Sequence, residues 1–138
     1  MNQYFNPQPK TGKPNQGELD RYKKWLKLNC TCCFTGYTIF ENAHIGGLAE
    51  LKGFGIKSKN NTILPMRKEL HDASEGNNDR FFDAAGIPKY KKFAERLFVA
   101  FEANKDPTSI LDEMQEMANR EFITSVILAA NGPTQISF

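Results

Sequence analysis

Apolar residues recur at helical spacing along much of this chain, and shorter apolar runs interrupt them near its middle. Leu19, Tyr22, Trp25 and Leu26 fall on one face of a helix expected over 18–28. Tyr90, Phe93, Ala94, Leu97, Phe98 and Phe101 keep the same spacing to about Ala103. Pro88 stands before them, where a first helical turn tolerates it. That stripe reads as core, not as a platform for stacking bases. Asp79 to Ala85 predicts a short helix with Phe81, Phe82 and Ala85 inward, stopped by Gly86. Asp106-Pro107 opens a further helix with a capping Asp, continued by Ile110, Leu111, Met114, Met117 and Ala118. Phe122 to Ala130 is nearly unbroken apolar, so it is either a buried helix or a partner-binding segment.

Between these helices the period changes. Phe34-Thr35-Gly36-Tyr37 reads as a turn, with Thr38-Ile39-Phe40 and Ala43-His44-Ile45 as short strands of a hairpin. Gly46 to Asn61 is a long loop. Ile63-Leu64-Pro65-Met66 is strand-like, and Arg67 to Ala73 begins a helix that carries His71. The Pro-, Gln- and Asn-rich start predicts a flexible arm over 1–17. A module over 18–105 and a helical extension over 106–138 follow, which makes the fold class α+β.

Composition narrows this picture. A chain of 138 residues that is 40% hydrophobic suits one packed domain. It has no apolar run of 18 residues and no apolar leader, so neither a membrane span nor secretion is expected. Three cysteines within four positions make no disulfide framework, which suits a reducing cytoplasm. The net charge of +2 is uneven: residues 1–72 carry +5 and residues 73–138 carry −3. The basic half suits a phosphate-rich partner, with Lys24 and Lys27 on the first helix offering phosphate contacts.

The same half holds the candidate chemistry. Cys30-x-x-Cys33 has the spacing of half a zinc site, but no second pair exists to complete a tetrahedral set. A redox reading of that motif lacks the βαβ context it needs. Gly53-x-Gly55-x-Lys57 is too short for a dinucleotide fingerprint and lacks the residues of a P-loop. It serves either as a turn or as a backbone approach to phosphate.

Taken in order, Ala43-His44-Ile45, Gly53-Phe54-Gly55-Ile56-Lys57, Asn60-Asn61, Leu64-Pro65-Met66, His71, Phe81-Phe82, Gly86-Ile87 and Ala94-Glu95-Arg96-Leu97 resemble phage and prophage nucleases of the HNH, or ββα-metal, type. The recombination enhancement function group is the most similar. The resemblance covers roughly residues 20 to 100. It implies a small hairpin-helix core clasping one divalent metal, Mg2+, Mn2+ or Zn2+, flanked by an N-terminal helix and C-terminal helices. It also implies a DNA endonuclease of phage or mobile-element DNA metabolism, in the cytoplasm of a bacterial host. His44 would be the general base, since imidazole titrates near working pH. Asn60 or Asn61 would orient it. His71 would ligate the metal, helped by Asp72 or Glu75. Lys57, Lys59 and Arg67 would hold the phosphate backbone.

Departures from the pattern define a second expectation. Many relatives carry His or Asp directly before the base, where this chain has Ala43. Their zinc cysteines are replaced by Arg67-Lys68-Glu69-Leu70, and Ser74 or Glu75 stands near a further expected His. A scaffold without its catalysis would instead bind DNA, a protein partner or a second copy of the chain through the C-terminal helices.

Overall fold

A computed structural model describes residues 16–45 and 62–131. In chain order these form helix α1 (Gln16–Asn29), strands β1 (Glu41–His44) and β2 (Ile63–Met66), and helices α2 (Lys68–Ser74), α3 (Asn78–Ala84), α4 (Tyr90–Glu102), α5 (Thr108–Met117) and α6 (Arg120–Asn131). The class is α+β, with one two-stranded antiparallel sheet among the described residues. Residues 1–15 of the expected arm over 1–17, and the expected loop with Gly53, Gly55, Lys57, Lys59, Asn60 and Asn61, lie outside them, while α1 begins within that arm at Gln16.

The sheet corrects one expectation. β1 pairs with β2, not with Thr38–Phe40: Glu41 faces Met66, Asn42 faces Pro65, Ala43 faces Leu64 and His44 faces Ile63. The segment before β1 uses its backbone groups locally instead. Gly36 N–H donates to the Cys32 carbonyl at 2.9 Å and Cys32 N–H to the Tyr37 carbonyl at 2.8 Å. Gly36 permits that closure at φ +77°. Ile39, at 71% exposure, then has no core to face. Pro65 fits inside β2 because its missing N–H is not needed there. Its carbonyl points away from β1 and accepts the Cys33 N–H at 2.9 Å. The cysteine turn thus covers the outer edge of β2, and all four β2 residues are buried.

Two aromatic groups build the interior. Tyr22, Trp25, Phe98 and Phe101 join α1 to α4, with the Tyr22 and Phe101 rings 4.9 Å apart. Phe34, Phe81, Phe82 and Tyr90 join the cysteine turn to α3 and the start of α4, with Phe82 stacked on Tyr90 at 4.2 Å. The apolar run of α6 buries one face: Ile123 and Ile127 are fully buried, and the helix packs against α2. Gly86 lets the end of α3 touch the end of α5. It sits at φ +90°, and a Cβ there would meet the Met117 carbonyl at 2.5 Å. As expected, Asp106 caps the start of α5, its Oδ1 accepting the Thr108 amide at 2.9 Å.

Candidate functional site

The sheet and α2 bring together side chains that lie far apart in sequence. β2 runs almost directly into α2, so α2 returns across the start of β1. Successive strand residues alternate between faces, so Glu41 and Ala43 share one side of β1. Ala43 is fully buried, and Glu41 reaches out to His71 on α2. Glu41 Oε1 lies 2.7 Å from His71 Nδ1. On the other edge of the ring, His71 Nε2 lies 3.7 Å from Oε1 of Glu75, four residues on. Potential ligand atoms of Glu41, His71 and Asp72 all fall within 4.8 Å of one another. Asp72 also accepts from Lys68 Nζ at 2.7 Å, in a pair whose side chains are 70% and 56% exposed. Exposure of that order makes the pair weak and easily exchanged.

His44 ends β1 on the face opposite Glu41 and Ala43, and stays open to solvent. Partial burial of its ring holds the imidazole below its usual pKa, and the charges of Lys23 and His71 push it the same way. A neutral imidazole is thereby favoured at neutral pH, which is the form that accepts a proton. α1 is tied alongside: Asn42 Nδ2 donates to the Lys23 carbonyl at 3.4 Å. Lys27 donates to the Phe40 carbonyl and lies 4.3 Å over the Phe40 ring. Of the basic residues of α1, Arg21, Lys23, Lys24 and Lys27, Lys23 is the one whose charge acts on His44, and helical spacing alone does not single it out.

The remaining candidates divide. His71 and Asp72 belong to the cluster, and Glu75 caps α2 at its edge. Lys24 is exposed on α1. Arg67 is turned inward, at 5% exposure. Its Nε and Nη2 donate to the Glu69 carboxylate at 3.1 and 3.0 Å, and its guanidinium lies 4.5 Å over the Tyr37 ring. The hydrogen bond from Arg67, supported by one from Asn131, holds the Glu69 carboxyl down to about 2. Asn60, Asn61, Lys57 and Lys59 lie outside the described residues. Glu41 is the residue that sequence reasoning missed. It stands three positions before His44 and thirty before His71, and no local spacing links it to either.

The cysteines are structural. All three are free and buried. Cys32 Sγ accepts the Arg67 amide at 3.3 Å, which helps place the start of α2. Burial pushes the Cys30 thiol up, with the Asp106 charge adding to it. Burial and then Cys32 push Cys33 up. Protonated, enclosed thiols are poor nucleophiles and poor ligands. Among the described residues no metal-binding group includes a cysteine.

Compared with known proteins, the chain matches no family model, no curated protein and no solved structure.

Proposed function

We propose that this chain is a divalent-metal-dependent endonuclease of the HNH type, hydrolysing DNA phosphodiester bonds. The observation that carries this reading is the strand-strand-helix order of β1, β2 and α2, with an open, neutral-leaning imidazole at the end of β1 and a His-carboxylate group formed by Glu41 of β1 with His71 and Asp72 of α2. A strand-end base next to a cation-binding helix is what in-line attack on phosphate requires. In this reading His44 takes the proton of the attacking water. His71 and Asp72, with Glu41 or Glu75, hold the cation. The donor set fits one: an imidazole and two carboxylates present ligand atoms within 4.8 Å of one another. Such a cation supplies charge neutralisation at the scissile phosphate and the leaving oxygen. Lys23 stands where it can draw the phosphate toward His44, and the exposed Lys24 extends a basic track along α1.

The test is cleavage of supercoiled plasmid and of single-stranded DNA with Mg2+, with Mn2+ and with EDTA. Wild type should cut only with metal, while His44→Ala and His71→Ala should not cut. Intact cleavage in both variants would sink the proposal.

One observation favours a second reading, a scaffold that binds DNA or a protein without cutting. The ligand candidates already hold protein partners, Glu41 with His71 and Asp72 with Lys68. Salt-sensitive DNA binding with no cleavage in any metal would select this reading. Loss of both would move the search to protein partners of the helical half.

A further inference from the structure

Asn131 is the one asparagine of the chain that a glycine follows, and it is the last residue of α6. We propose that Asn131 is a site of spontaneous deamidation, at which the neutral amide that ties α6 to α2 becomes a carboxylate facing Glu69. The proposal is independent of the nuclease reading and concerns the joint that holds α2.

The chemistry follows from the residue pair. The backbone nitrogen of Gly132, having given its proton to water or hydroxide, attacks the side-chain carbonyl carbon of Asn131. A new C–N bond closes a five-membered succinimide ring, and the side-chain nitrogen leaves as ammonia. Water then opens the ring at either carbonyl, giving aspartate or isoaspartate. One water enters, one ammonia leaves, and no oxidant or reductant is consumed. Glycine favours the attack, because it has no Cβ to obstruct the approach and its backbone is the least restricted. Asn29 makes the contrast: it is buried, its amide donates to the Trp25 carbonyl at 3.0 Å, and a cysteine follows it.

The fold leaves Asn131 reachable and gives the change a consequence. Asn131 is exposed, and it stands at a helix end, where fraying is greatest. Its Nδ2 donates to Glu69 Oε2. Glu69 already accepts from Nε and Nη2 of Arg67 at 3.1 and 3.0 Å. Deamidation replaces the Asn131 donor with an acceptor, so two carboxylates then share one guanidinium. No side chain caps the start of α2, so the ties from Arg67 and Asn131 to Glu69 matter the more there.

The contact with Glu69 could instead shield the amide, and the experiment separates the two outcomes. The full chain is incubated at mildly alkaline pH and read by peptide mass spectrometry and by enzymatic methylation of isoaspartate. Wild type should accumulate both products at position 131. Gly132→Ala should form them at least about tenfold more slowly. Equal rates in the two chains would overturn the proposal. So would an unchanged Asn131 in wild type after a free peptide of residues 127–136 has converted. Melting temperatures at neutral pH test the consequence. Asn131→Asp should melt about 2–4 °C below Asn131→Ala, which loses the donor without adding a charge. High salt should narrow that gap. Equal melting temperatures for the two variants would overturn the effect assigned to the new carboxylate.

Discussion

The β1–β2–α2 region and the α3–α6 region use charged residues in opposite ways. In the first, polar groups converge across elements: Glu41 meets His71, His71 approaches Glu75, and the charges of Lys23 and His71 act on His44. In the second, the interior is aliphatic and aromatic, and an ion pair such as Arg96 with Glu113 lies at the surface, at 46% and 48% exposure. The strand region is short and closed by a proline, a cysteine turn and a helix of seven residues. It depends on the longer helices for its stability. The contrast teaches that the proposed chemistry would sit on the shortest elements, packed against longer helices that carry none of it. α6 makes the connection physical, since it packs on α2 and reaches Glu69 through Asn131.

That division can be broken from either side. On the chemical side, His71→Ala should lower metal-dependent cleavage by at least about a hundredfold. Chemical denaturation should meanwhile find its folding free energy within about 1 kcal/mol of wild type. On the supporting side, Leu97→Ala empties a fully buried position on α4. It should cost about 2–5 kcal/mol of stability, read from the same denaturation curves. The cleavage rate per folded molecule should hold. Loss of chemistry in the folded fraction of Leu97→Ala would erase the distinction between the two regions.

Smaller effects sharpen it. Gly86→Ala combines a positive φ with a collision at the Met117 carbonyl, and should destabilise by about 1–3 kcal/mol. Glu69→Gln tests the connection between regions. In the folded chain the Glu69 carboxyl is held at about 2, below its ordinary 4.5. Its stabilisation is therefore fully present above the ordinary value and is lost as pH falls toward the folded one. With solvent screening the contribution is about 1–2 kcal/mol at neutral pH. Melting curves of wild type and Glu69→Gln should accordingly differ at pH 7 and converge near pH 2. Arg96→Ala, at a surface pair, should change stability by no more than about 0.5 kcal/mol.

The same contrast explains what was legible in the sequence. Helical spacing found α1, α4 and α5, because residues such as Leu97 and its neighbours along α4 record their burial locally, while the nearly unbroken apolar run of α6 left two readings open. Ile63–Met66 was legible as a strand because all four of its residues are buried. Ala43-His44-Ile45 was also read as a strand, but its pairing with β2 was not legible, since pairing over a long connection leaves no local signature, and Thr38–Phe40 offered β-branched and aromatic residues without a ladder to join. The resemblance pointed to His71 and Asp72, and the fold places both in one cluster. Glu41 was not legible, because an acidic residue at the start of a strand looks like any solvated carboxylate until α2 crosses it. Arg67 misled for the converse reason: a basic residue beside a helix start suggests phosphate, and only the fold shows it turned onto Glu69 and Tyr37.

The most direct test of the central claim is the pH dependence of plasmid cleavage at saturating Mn2+, for wild type and His44→Ala. A general base must be neutral to act, and the His44 imidazole is held below its ordinary 6.5. The account predicts a wild-type rate that rises with pH to a plateau through a midpoint below that value. His44→Ala should lose that limb and about a hundredfold or more in rate. A wild-type profile that His44→Ala reproduces, in shape and in rate, would contradict it.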